Sequence, residues 1–594
     1  MIRRKRKLEI LLSRRKRAFS PLALYLVLSF CCTPRLLQAQ NSREECEPPK
    51  TMSGRLASHP TAAAYDALGG YYGDRKEFAC AARAFRESLK LQPNSPQTHY
   101  YLALAILAEG DPQNAILELR RSLKLKPDQT EVRLTLGAAL SQINRMEEAI
   151  QEFQEALRTA PKSTTALDWL AKAYMSEKRY PAAIALLKEA PPDEVLEMDL
   201  VMAYSNSGEN ARALQLLMEM AQTRPGSAVP HSGMGSIYTQ ERRYEDAAKE
   251  FQEALRLNPQ DDATLASYIR VLLMQAKFDA ALPYADEYWR AHPNDFDAYY
   301  LLGVVDRELG KYAEAKALLV QAVKINPEHY AARYNLGLVC AKTGKAAAAR
   351  TQLEKAIQLD PSSAEAHFQL AAVLRSLSLQ DEARAQLSLY QNLMAERDQR
   401  DVAAARANEA RASLKKGDTQ RAADLYREAI EKDSNNSHLY YDFALALERN
   451  GDRAGEREAI LRAVALDPKF AAAHNQLGLV LLQEGQTAEG EKELKSAISL
   501  DPNEVEAHNN LGVLYGQQGK DAEAAQLFQA AIENDPGYAP SYVNLAVALA
   551  SQSRFSEAAT SLKTALQIEP DNKETRALLS QVQSQLGRQG SDHP

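Results

Sequence analysis

The residues of this chain that could do chemistry recur in rows. Asn335, Gln369, Asn408, Asp442, Gln476, Asn510 and Asn544 follow one another at 34 residues, with a single step of 39. One place earlier stand Tyr300, Tyr334, Phe368 and Tyr441. An amide offers both a donor and an acceptor, so a row of them can pair with peptide units whatever their sequence. Aromatic residues beside it would add apolar contact at low entropic cost. A plain solubility role for the amides is the other reading. The equivalent places nearer the amino terminus hold Ala67, Tyr101, Thr135, Trp169 and Gly233, so the row belongs to the carboxyl-terminal half.

The histidines invite a metal. His99, His231, His367, His474 and His508 share one phase, which Tyr65, Tyr299, Tyr440 and Tyr542 fill elsewhere. A place that accepts both ring types reads as half-buried packing, and residues a repeat or more apart do not converge on an ion. No HExxH, GxxxxGK[ST] or GxSxG occurs, and Gly233-x-Gly235 lacks the third glycine of a dinucleotide loop. No CxxC pair exists, which removes thiol-redox and zinc-ribbon chemistry. Cys340 falls on an inner apolar stripe and reads as a small buried residue. The expectation is a chain with no enzymatic activity, no metal, no cofactor and no small-molecule substrate.

What positions the rows is a repeat. Prolines at 93, 127, 161, 191, 225, 259, 293, 327, 361, 468, 502, 536 and 570 are mostly 34 residues apart, with four lost before Pro191 and five gained between Pro361 and Pro468. Leu-Gly recurs at 136/137, 302/303, 336/337, 477/478 and 511/512. A small residue follows (Ala149, Ala247, Ala349, Ala524), then a large apolar one four later (Phe153, Phe251, Leu353, Phe528), then Ala156, Ala254, Ala356 and Ala531. A period of this length with two apolar stripes at helical spacing describes a stack of helical hairpins.

The local signals agree. Gly110, Gly208, Gly310, Gly344, Gly417, Gly451, Gly485 and Gly519 fall where a left-handed residue would end the first helix. The Asp-Pro or Asn-Pro pair ends the second, because the residue before proline is pushed out of helical geometry. Ser362 with Glu365, and Asn503 with Glu506, have capping-box spacing for the next helix. Glu456 and Gly490 replace the close-packed alanine, and looser packing is expected there.

These motifs resemble the tetratricopeptide repeat (TPR) family over about residues 62–588, as fifteen units plus a terminal helix. The resemblance implies an all-α fold, a TPR α-solenoid forming a right-handed superhelix, with the row of amides facing its concave groove. The row is similar to the asparagine ladder in the repeat region of O-linked N-acetylglucosamine transferase, where amides grip an extended peptide. No catalytic domain like that enzyme's is expected here. The row carries no lysine or arginine, so the basic clamp that some TPR domains close on chaperone termini is not expected.

The order along the chain is then a leader over 1–40, a linker over 41–61, a first repeat block over 62–395, a joining helix over 396–402, a second block over 403–570, a capping helix over 571–588 and a tail over 589–594. The leader is basic, with ten Lys and Arg residues against Glu9, followed by the apolar run Pro21–Cys32 and small residues around Ala39. That is secretory-signal anatomy, with a signal anchor as the alternative; a membrane partner is expected only if it stays uncleaved. If the chain is exported, to a periplasm or the exterior, Cys46 and Cys80 can pair; two unrelated thiols are the other reading.

The formal charge of −6 conceals that residues 41–594 hold 62 basic against 77 acidic residues. An acidic excess argues against nucleic acid, which needs a basic face. The chain therefore reads as a protein-binding scaffold whose partners are proteins or peptides held in extended form in the groove. The alternative is an accessory subunit of an envelope polysaccharide or glycan-transfer complex.

Overall fold

The computed structural model describes residues 46–591, so the leader and the start of the linker lie outside the described residues. The described residues divide into two compact units between Ala203 and Tyr204. The described residues of both are helical hairpins in series, with no strand among them. The fold is an all-α solenoid of repeats.

The unit around residue 336 shows how the sequence builds each hairpin. The helix Tyr330–Lys342 runs back along Ala346–Leu359. A methyl group on Gly337 would lie 2.8 Å from Leu353 Cγ, so only glycine lets the leucine seat against the first helix. Ala349 and Ala356, fully buried on either side of Leu353, keep the second helix at the same short distance. The same arrangement sets Gly512 beneath Phe528, whose ring would meet a methyl at 2.6 Å. Neither hairpin encloses its own core: Leu336, Val339 and Leu353 share one cluster with Ala315 and Leu319 before them and Leu370 and Leu374 after. Stability therefore comes from stacking on neighbours.

Between the two helices the chain turns through a left-handed residue. All eight glycines at that phase have φ between +71° and +83°. The same conformation is taken by Lys76, Asn144, Lys178, Arg242, Ala276, Ser378 and Ser553 in the units that lack the glycine. Packing of the hairpin fixes the turn, and local preference yields at about 1–2 kcal/mol per site.

Two expectations need correction. The helix caps lie one residue later than the capping-box spacing suggested. Ser363 is the cap of Ala364–Ser376 and accepts from the Ala366 amide, while the Ser362 hydroxyl donates to Asp360 at 2.6 Å. The helix Val505–Gln517 likewise starts after Glu504, with no side-chain cap. After the Asp-Pro pair the chain spends two residues turning, which moves the cap downstream. Packing at Glu456 and Gly490 is also not loose. A methyl on Gly490 would sit 2.7 Å from Leu482 Cγ and 3.0 Å from the Gly478 carbonyl. Glu456 is buried and accepts a hydrogen bond from Gln476 Nε2 at 2.9 Å. Leucine in one case and an amide partner in the other fill the place that alanine holds elsewhere.

The irregular units also have visible causes. The second helix Tyr180–Lys188 is nine residues long where Ala346–Leu359 has fourteen, so its shortening absorbs the four residues lost before Pro191. Gln380–Lys415 is one helix of 36 residues. No proline or glycine interrupts it, so the second helix of one repeat continues into the first helix of the next. At the carboxyl end, Lys573–Ser591 lays Val582, Leu578 and Leu579 over Ala558 and Leu562. Cys340 is buried and unbonded, and Cys46 is joined by a disulfide to Cys80 on the helix Phe78–Leu91.

Two outcomes follow from these devices. The disulfide closes 34 residues, worth about 3–4 kcal/mol on the chain-entropy account. Replacing both cysteines with serine should raise amide exchange across residues 46–91 and leave the carboxyl-terminal repeats unchanged. At the turns, Ala276→Gly should stabilise and Gly485→Ala destabilise, each by about 1 kcal/mol in denaturant titrations, because only backbone strain differs.

Candidate protein-interaction surface

Each first helix has one side against its partner helix and one side left over. On the leftover side, three places after the row of amides, Leu338 stands in one repeat and Leu445, Leu479, Val513 and Val547 in four successive later ones, with Ala372 and Arg411 at the two places between. Exposure rises along this stripe, to 36% at Val513 and 48% at Val547. First helices of successive repeats pack directly on each other within the second unit, as Ala471–Gln483 does on Val505–Gln517. From Leu445 to Val547 the stripe passes through successive repeats without a break.

The aromatic residues of the row sit at its start and are only partly open. Tyr300 stacks on Phe296 with ring centroids 5.6 Å apart, and Tyr334 on Tyr330 at 5.9 Å. Burial raises both phenols above their usual range. Phe368, 41% exposed, leans on Tyr390 at 5.1 Å. Tyr441 lies 5.0 Å from Phe470, and its phenol is pushed up to about 12, first by burial and then by Glu504, Glu506, Asp442 and Glu448.

The amides are mostly engaged by the chain itself. Asn335 is buried and donates to the Ala331 carbonyl at 2.7 Å. Gln476, also buried, donates to Glu456 and, at 3.2 Å, to Glu448. Asn510 donates to Asn475 Oδ1 at 3.0 Å, and Asn544 to Asn509 Oδ1 at 2.9 Å. Asn408 accepts from Arg411, which also pairs with Asp442 at 2.9 Å. Gln369 is half-buried, and no described residue hydrogen-bonds its side chain. Asn510 and Asn544 each keep a second N–H and a carbonyl for another partner.

Asn475 and Asn509 are the residues that sequence reasoning missed. They stand in the aromatic place, and their signal was an offset of 35 rather than 34: a row residue of one repeat meets the preceding place of the repeat before. Tyr100 and Thr135 fill the same slot, with hydroxyls 3.5 Å apart. Asp168 and Asp199 fill it too, because the short unit shifts the phase by four. Both are buried; Lys172 pairs with Asp168 and approaches Asp199 at 3.9 Å. Burial and the neighbouring Asp168 carboxyl push Asp199 up to about 7, against the pull of Lys172.

In several hairpins the histidine phase is a polar clasp, whereas His508 meets the Glu504 carbonyl at 3.0 Å instead. His99 has one ring nitrogen 2.6 Å from Glu118 and the other 2.9 Å from the Pro93 carbonyl. His474 repeats this with Glu493 and Pro468, and His231 pairs with Glu250. Arg333 makes the same two contacts, with Gln352 and the Pro327 carbonyl, and Tyr299 and Tyr542 keep the carbonyl contact alone. These side chains tie the proline turn and the second helix to the first. Among the described residues no group of three metal-ligating side chains converges. Two surface depressions, one lined by Arg406, Asp418, Asp424 and Glu428 and the other by the turn at Ala291–Asp295, are open to solvent.

Tetratricopeptide-repeat family profiles match residues 67–130 and 300–539, and further profiles of the same description match 107–203, 238–304 and 539–572. The chain belongs to the tetratricopeptide repeat family. Such repeats generally mediate protein–protein interactions, and the fold is typically a non-catalytic scaffold. No curated protein matches the chain. Among solved structures, MamA (residue 41 to the end) from Desulfovibrio magneticus RS-1 is 24% identical over 28% of this chain and 95% of that one, with a TM-score of 0.27. The Cut9–Hcn1 hetero-tetramer of the APC/C is 12% identical over 84% of this chain and 98% of that one, with a TM-score of 0.30. At these TM-scores neither likeness adds to what the repeat itself says.

Asp199 gives a test with a defined sign. Its folded pKa lies above the unfolded 3.8, so the protonated pair supports the fold in mild acid and that support is lost as pH rises through about 7. Thermal melts of the wild type should therefore fall between pH 5 and pH 8. Asp199→Asn, which rebuilds the pairing geometry of Asn509 and Asn544 with a neutral side chain, should flatten that dependence.

Proposed function

We propose that this protein is a non-catalytic scaffold that holds extended segments of partner proteins along the leftover faces of its first helices, in an exported location. The observation that carries this reading is the stripe running from Leu445 through Leu479 to Val513 and Val547, flanked by amides that keep hydrogen-bonding capacity. An extended segment suits such a surface because successive repeats offer the same apolar contact and the same amide at regular steps. The disulfide of Cys46 and Cys80 supports the exported location, since such bonds persist in oxidising compartments.

A photo-crosslinking side chain placed at Val513 or Val547 in living cells should yield discrete protein adducts. The same group at Gln529 or Lys563, exposed on second helices, should yield none of them. Identical adducts from both sets would overturn the assignment of the surface. Mass spectrometry of the mature amino terminus from the same cells should find the chain starting near residue 40.

A further inference from the structure

The first-helix faces within residues 296–376 and those within 437–551 differ in how their charges are settled. In the earlier stretch they are neutralised by the chain itself. Arg270 pairs with Asp297 at 2.9 Å, Arg307 with Glu308, and Arg397 with Glu365 at 3.2 Å. In the later stretch Asp442 has Arg411, but Glu448, Glu504 and Glu506 have no cationic partner among the described residues. Glu448 receives only the Gln476 amide, and Glu504 has the Glu506 carboxyl beside it. Tyr441 lies among these acids with Phe470 against its ring, and the ring face of a tyrosine itself favours a cation. The exposed apolar stripe passes through the same repeats.

We infer that the first-helix faces of residues 437–551 receive an extended basic segment of a partner protein, whose lysine or arginine side chains meet Glu504, Glu506 and Glu448 beside Tyr441. The apolar residues of that segment would lie on Val513 and Val547, and its peptide groups would reach the free capacity of Asn510 and Asn544. This rests on the groove reading above and adds the partner's charge. An acidic or neutral segment would cover half-buried Glu504 and its neighbour Glu506 without compensation, at a cost that an arriving ammonium or guanidinium removes. Burial, with Glu506 and then Asp501 nearby, already pushes Glu504 up to about 7, as expected where carboxylates gather without a counter-charge.

The test uses the full mature chain and three short labelled peptides read by fluorescence anisotropy. One alternates lysine with leucine and serine, the second has glutamate for each lysine, and the third has serine for each lysine. The lysine peptide should bind, weaken as salt is raised, and weaken about tenfold on the Glu504→Gln, Glu506→Gln double variant, whose helicity should be unchanged. The glutamate peptide should not bind. Equal binding of lysine and glutamate peptides, or an unchanged affinity in the double variant, would overturn the inference. If all three peptides bind alike and Val513→Asp abolishes them all, the charge assignment fails while the groove reading stands. Self-association by light scattering that the double variant dissolves would make the occupant a second copy, and the inference would again fail.

Discussion

The structure depends on how closely two helices of one hairpin can approach. Phe528 or Leu353 fits only because the facing residue, Gly512 or Gly337, has no side chain. Small residues flank the large one on its own helix, as Ala524 and Ala531 flank Phe528, so the contact is a projection seated in a hollow. Interiors packed to this density transmit a single added methyl as strain. Once that contact is fixed, the turn between the helices is fixed as well. Lys76 and Ala276 adopt left-handed geometry for that reason and not by preference. The hairpins of regular length are then nearly the same rigid object, and stacking copies of it leaves one side of each first helix without a structural partner.

That division of labour explains which polar residues do structural work. Where they occur, the histidine and arginine clasps tie the proline turn to both helices of its hairpin, using acceptors that would otherwise be left poorly satisfied. The pairs Asn475–Asn510 and Asn509–Asn544 act between repeats instead. They lie beside the open stripe, so the groups that register one repeat on the next also border the surface offered to a partner. Binding along that surface, as proposed, would therefore be coupled to the stacking of repeats through the same side chains.

Much of the fold was legible because its causes are local and periodic. The proline spacing, the left-handed glycines and the alternation of small and large residues each state one geometric requirement, and the structure meets them. What the sequence hid depends on register between neighbouring units. A period of 34 aligns equivalent residues, whereas contact between adjacent first helices joins places one position out of phase. The amides at 510 and 544 therefore looked free when Asn475 and Asn509 already held them. The cap at Ser363 in place of Ser362 is a smaller error of the same kind, one residue of turn deep. Gly490 misled for a different reason: a missing side chain was read as space, when Leu482 had already filled it.

The slot between successive first helices shows how much latitude the repeat permits at one polar place. It holds two hydroxyl groups at Tyr100 and Thr135, two carboxyls at Asp168 and Asp199, and two amides at 475/510 and 509/544. All three solutions need a donor facing an acceptor, and only the carboxyl pair needs a shared proton to supply one. An apolar pair would satisfy burial equally well but would not fix which residue meets which, because dispersion has no direction. A hydrogen-bonded pair at this place sets the sliding register of one hairpin on the next. For the proposed reading of an extended segment, that register would decide whether successive binding positions fall at the spacing of the segment's own side chains.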